Sequence, residues 1–80
     1  MKIKVKLHAT LRRYLPQGSD FNSTVVELAG GSTVGDLIAT LGIPASLAKM
    51  VVRGTDQLTP ADVLQDQQEI NVYPPLAGGS

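Results

Sequence analysis

Cysteine is absent from these 80 residues, histidine occurs once, as His8, and the aromatic side chains are limited to Tyr14, Phe21 and Tyr73. Without a thiol there can be no disulfide framework, no zinc cluster built on cysteine and no cysteine nucleophile. Excess charge is missing too: seven Lys or Arg balance seven Asp or Glu, so the total carries no electrostatic footprint for nucleic acid. The basic residues Lys2, Lys4, Lys6, Arg12 and Arg13 gather near the start; alternating lysines read as one solvated strand face. No apolar run approaches the ~18 residues of a membrane span, and lysines interrupt the segment from Met1 to Ala9 that a signal peptide would need. The expected location is the cytoplasm.

What is present is the composition of a small globular body, 42% hydrophobic and 18% charged. One domain of this size buries only about 60 to 65% of the surface its unfolded chain exposes. It has little room for a deep pocket, and no set of side chains suited to catalysis is evident.

Ile3, Val5 and Leu7 alternate with Lys2, Lys4, Lys6 and His8, the period-two signature of a strand with one buried face. Leu11, Tyr14 and Leu15 change to helical spacing for a turn or two, until Pro16-Gln17-Gly18-Ser19-Asp20 breaks it. Thr24 to Leu28 is β-branched and should pair with the first strand as a hairpin. Thr33 then caps a helix, with Asp36 as its capping-box partner, and Val34, Leu37, Ile38 and Leu41 form one apolar stripe. Gly42 ends that helix and Pro44 prevents its continuation.

Pro44 to Lys49 reads as another helical turn, and Met50-Val51-Val52 as a strand. A turn is expected over Arg53 to Gln57, and Thr59-Pro60 suggests a cap and the first position of a short helix through Val63 and Leu64. After a turn at Asp66-Gln67-Gln68, the run Glu69 to Tyr73 alternates as a last strand. The predicted order is β, β, α, β, short helix, β. With the first and last strands adjacent, this gives an α+β roll of the β-grasp type, a mixed sheet with one main helix across it. Periodicity does not supply the strand order.

That last strand runs into Pro74-Pro75-Leu76-Ala77-Gly78-Gly79-Ser80. The prolines favour an extended exit. The taper to Gly78 and Gly79 suits a passage too narrow for a Cβ. At about 3.3 Å per residue, the stretch from Pro74 could reach roughly 20 Å beyond the body. The division expected is a body over 1–73 and an extended tail over 74–80. A plainer alternative is a frayed or appended end.

The whole chain resembles the MoaD/ThiS family of ubiquitin-like sulfur carriers, closest to its MoaD-like branch. The likeness lies in the lysine-flanked first strand, Leu11-Arg12-Arg13-Tyr14, Gly31-Ser32-Thr33-Val34-Gly35-Asp36-Leu37 and the closing Pro74-Pro75-Leu76-Ala77-Gly78-Gly79. The resemblance implies the β-grasp fold and a reactive main-chain end. An E1-like adenylyltransferase would use ATP and magnesium to adenylate the Gly79 carboxylate, and a sulfur donor would replace AMP to leave a thiocarboxylate. It also implies insertion of the tail into a large synthase subunit, MoaE-like, that builds the dithiolene of molybdopterin. No cofactor would be bound permanently. Tyr73 would contribute to the partner contact, Leu76 would anchor the tail in a groove, and Pro74, Pro75, Ala77 and Gly78 would form the inserted segment. A protein modifier, an interaction module, or a sulfur carrier for thiamine, cysteine or transfer-RNA thiolation is the alternative.

Two departures stand out. Gln67-Gln68 replaces the Gly-Asp usual before the last strand. Ser80 follows the glycine pair, and no carboxylate exists on Gly79 while it is attached. Either a C-terminal peptidase trims it, or it is an appended residue, or the chain acts without sulfur transfer.

Overall fold

In a computed structural model of the protein, residues 1–75 are described. The chain runs through β1 (Lys2–Leu7), a 3-10 helix over Ala9–Tyr14, β2 (Ser23–Glu27), α1 (Val34–Thr40), a second 3-10 turn at Ala45–Leu47, β3 (Met50–Arg53), β4 (Asp56–Leu58) and β5 (Glu69–Tyr73). The strands form one sheet in the order β2-β1-β5-β3-β4. β1 and β5 are parallel neighbours, with Val5 beside Ile70 and Leu7 beside Val72. All other pairings are antiparallel. The expected β-grasp arrangement is therefore the one observed.

Strand alternation decides what is buried. Ile3, Val5 and Leu7 from β1 and Ile70 and Val72 from β5 are fully excluded from solvent, and α1 adds Val34, Leu37 and Ile38 to the same core. Leu41, expected on the stripe, is only partly buried at its margin. The opposite face of the sheet carries no helix and presents the lysines of β1 with Glu69, Asn71 and Tyr73 of β5, a division that follows from the paired registers.

The helix begins and ends as its residues dictate. Thr33 Oγ1 accepts the Asp36 N–H at 3.2 Å while the Asp36 carboxylate accepts the Thr33 N–H at 2.9 Å, the reciprocal capping box. At the other end Gly42, with φ +75°, donates to Ala39, and the Ile43 N–H reaches back to Ile38. This is a Schellman stop, and Ile43 is buried beside the residue its amide meets.

Two expectations need correction. The turn expected over Arg53 to Gln57 is confined to Gly54 and Thr55, and an unexpected strand follows it: Arg53 pairs with Asp56 and Val51 with Leu58, creating β4. Gly54 has φ +62° and Thr55 an ordinary negative-side φ, the pattern of a two-residue type II′ connection. No helix follows Thr59-Pro60 either. Thr59 donates its N–H to the Asp62 carboxylate at 2.6 Å, but the carbonyls of Pro60 and Asp62 accept from Gly35 and Val34. These carbonyls satisfy the open amides of α1, so the segment is a turn closed by a bridge between Thr33 and Val63. Gly35 permits the approach, since a Cβ there would lie 3.3 Å from the Pro60 oxygen.

Gln67 occupies the left-handed region, φ 69°, in the turn where Gln68 donates to Gln65. A non-glycine residue pays on the order of 1 kcal/mol for that conformation. Gln67→Gly should therefore raise stability by about 0.5–1 kcal/mol in urea melts with an unchanged slope; a loss of stability would show that the side chain contributes something the backbone strain does not outweigh.

Candidate functional site

The C-terminal strand lies in the middle of the sheet, flanked by β1 and β3. Its end is secured on both sides: the Tyr73 carbonyl accepts the Lys49 N–H at 3.0 Å, and the Val72 carbonyl accepts the His8 N–H at 3.2 Å. Beyond it Pro74 and Pro75 are half-buried. Neither proline has an N–H to offer the ladder, so strand pairing stops where the tail begins. The predicted site residues Leu76, Ala77, Gly78 and Gly79, with Ser80, lie outside the described residues.

Tyr73 projects from the face opposite the core, in register with Met50 of β3. The His8 ring stacks on the Tyr73 ring, centroids 4.3 Å apart and planes within 4°. His8 Nε2 also lies 2.8 Å from Asn71 Oδ1. One strand end thus braces the other, with His8 holding the aromatic ring at the root of the tail. The residues alone place His8 at the end of the alternating first strand; its packing partner was not visible there. Met50, 39% exposed, and Val52, level with Asn71, extend an apolar strip beside Tyr73 that was also missed. Their alternation with buried Val51 was the available signal.

Charge frames this face. Lys6 Nζ meets Glu69 Oε2 at 2.9 Å, and this bond, with the field of the same ammonium and a smaller one from Lys4, holds the Glu69 carboxyl below its ordinary value. At the start of the strands, Asp66 Oδ1 accepts the Lys2 N–H at 2.7 Å, which lowers its pKa chiefly through that bond. On the helix side a groove of about 390 Å³ runs between α1 and the β3–β4 hairpin, lined by Val34, Ile38, Val51 and Leu58. It is mainly apolar, and Lys49, whose N–H holds the Tyr73 carbonyl, is part of its lining. Among the described residues, no group of His, Asp and Glu could hold a metal ion, and no helix is long and apolar enough to cross a membrane.

A mixed sheet with one capped α-helix across it, and β5 as its central strand, defines a ubiquitin-like β-grasp domain. Comparison with solved structures agrees. Crystal structures of the small archaeal modifier protein 1 of Haloferax volcanii superpose with TM-scores of 0.71 and 0.72 at 21% and 20% identity; the first match covers 99% of this chain and all of that one, the second 94% and 98%. The model of the Mut7-C ubiquitin family matches residues 1–78, and the chain belongs to that family. No curated protein matches the sequence.

The lowered carboxyl values have a sign. Asp66 and Glu69 titrate lower in the folded protein than in the unfolded chain, so the stability they contribute is present above the unfolded values and is lost as pH falls through the folded ones. Thermal stability should be level above about pH 5 and decline below about pH 4. In Asp66→Asn the decline should be shallower; an identical acid limb would remove Asp66 from the account.

Proposed function

We propose that this domain is a ubiquitin-like carrier whose C-terminal glycine carboxylate is the reacting group, and that it acts as the small sulfur-carrying subunit of a molybdopterin-synthase-like pair. The observation that supports this most is the placement of the chain's exit. β5 is the central strand, its last carbonyls are tied to His8 and Lys49, and the residues after Tyr73 are two prolines, a leucine, an alanine and two glycines. A body built in this way holds the root of the tail still and leaves chemistry to partners.

The reaction proposed proceeds in two steps. An E1-like adenylyltransferase joins the Gly79 carboxylate to the α-phosphate of ATP, with magnesium, releasing pyrophosphate. Hydrosulfide, or an equivalent sulfur donor, then attacks the acyl carbon and expels AMP, leaving a thiocarboxylate. A carboxylate resists nucleophiles because its charge is delocalised; the mixed anhydride supplies a leaving group. The sulfur then passes to a pterin precursor in the large subunit. Ser80 must be removed first, which calls for a C-terminal peptidase if the residue belongs to the native chain.

A second reading is favoured by the structural neighbours, which are crystal structures of a small archaeal modifier protein. The same acyl-adenylate can be attacked by a lysine amine, forming an isopeptide bond. Tyr73, Met50 and Val52, on the open face beside the exit, are the surface we assign to the activating partner in either case.

Mass spectrometry separates the readings. A form ending at Gly79, incubated with an activating enzyme, ATP, magnesium and sulfide, should exchange one oxygen for sulfur, and removal of Gly78 and Gly79 should abolish the change. Conjugates of higher mass would transfer the assignment to protein modification. Unchanged mass, with the activating enzyme competent on its own carrier, would sink both. The docking surface has its own check: Tyr73→Ala should raise the half-saturating concentration for adenylation about tenfold or more, the cost of losing an aromatic anchor, while the maximal rate changes little.

A further inference from the structure

We infer that the outer edge of β2 is a self-pairing surface, joining two copies of this chain into one continuous sheet. The phase of the β1–β2 ladder shows which backbone groups are free. The Leu28 N–H donates to Met1 at 2.8 Å and the Leu7 N–H to Asn22 at 2.8 Å. With the register Lys2 to Glu27 and Lys4 to Val25, the residues bonded to β1 are Asn22, Thr24, Val26 and Leu28, since bonded and non-bonded pairs alternate along an antiparallel ladder. Ser23, Val25 and Glu27 therefore point their N–H and C=O groups away from the sheet. The Ser23 carbonyl is taken by the Asp20 N–H at 3.0 Å. Among the described residues no backbone hydrogen bond from the loops reaches Val25 or Glu27.

That pattern selects one register. Pairing centred on Val25 would need Ser23, which the loop before β2 already occupies. Pairing centred on Val26 uses only the free residues: Val25 of each copy exchanges both backbone bonds with Glu27 of the other, four bonds about a two-fold axis. The side chains suit it. On the core face, Ile3 is level with Val26, and across the axis Val26 meets Val26 of the second copy, continuing an apolar row. On the open face the row reads Lys2, Glu27, then Val25 and Lys4 of the second copy. Each Glu27 thus has Lys2 of its own copy beside it and Lys4 of the second copy two strands away, roughly 10 Å, and Val25, now 62% exposed, is covered.

The segment Ser23–Glu27 has no proline and no lysine, the usual guards of an exposed edge. β4, the other edge, has three residues and runs into Thr59-Pro60, a poor template for extension. Four bonds and a small area make a weak, concentration-dependent pair. β2 lies two strands from β5, roughly 10 Å, so pairing leaves both tail roots exposed.

Sedimentation across a wide concentration range, with amide exchange read by NMR, tests this. The expected result is a monomer–dimer equilibrium in which the Val25 and Glu27 amides gain protection as concentration rises and the β4 amides do not. Val25→Pro removes an N–H that the monomer does not use, and should abolish dimerisation while leaving the fold's spectrum intact. Glu27→Lys keeps the backbone and should weaken the pair roughly threefold by placing three like charges in one row. A protein that stays monomeric at millimolar concentration, a dimer that survives both substitutions, or mass that grows without closing at two copies would overturn the inference.

Discussion

The parallel pairing of β1 with β5 is the constraint from which the rest of the molecule follows. It joins the two ends of the body, Val5 beside Ile70 and Leu7 beside Val72, and parallel neighbours cannot be linked by a tight turn. Everything between must cross from one side of this pair to the other. α1 makes that crossing over one face and supplies the core; β3 then returns antiparallel on the far side of β5. The sheet is left with one face covered and one open, and the chain emerges from its middle.

Elements whose signals are local were legible in the residues. β1 and β5 announce themselves by alternation, and α1 by the Thr33 and Asp36 box, its apolar stripe and Gly42. β4 was not, because Asp56-Gln57-Leu58 has little intrinsic preference for a strand and becomes one only through pairing with Val51, Val52 and Arg53. The most instructive failure is at Thr59. Thr33 and Asp36 recur as Thr59 and Asp62, the same residues at the same spacing, and in both the carboxylate accepts the threonine N–H. Only the first opens a helix. In the second, Pro60 turns its carbonyl toward Gly35 and Asp62 toward Val34, so one copy of the motif completes the cap of the other. A contact between distant segments chose between them, and no reading of either alone could.

The site divides in the same way. Alternation placed Tyr73 at the end of the last strand and the prolines just beyond it, while a partner contact for Tyr73 came only from the family resemblance. The stack of His8 on Tyr73, and the bond from His8 to Asn71, depend on the strand order, which periodicity does not carry. Lys6 with Glu69 is similar: a lysine face looks merely solvated until the neighbouring strand places a carboxylate against it. Gln67-Gln68 could be read in the residues only as a departure from a family pattern; that Gln67 takes the left-handed region was not legible there, because the turn is closed by contacts with neighbouring segments such as the bond from the Gln67 N–H to the Lys2 carbonyl.

The direction of β5 relative to β1 also governs how the molecule bears load. A pull applied at the C-terminal end of β5 loads that strand along its own length, while β1 beside it, parallel to it, is anchored through the opposite end of the body. Hydrogen bonds across a parallel pair loaded this way are strained in shear and share the force, whereas a hairpin pulled from its open end would surrender them one at a time. The sheet is therefore built like a lap joint, and mechanical work done on the chain's end is resisted at the root before it can unravel the core.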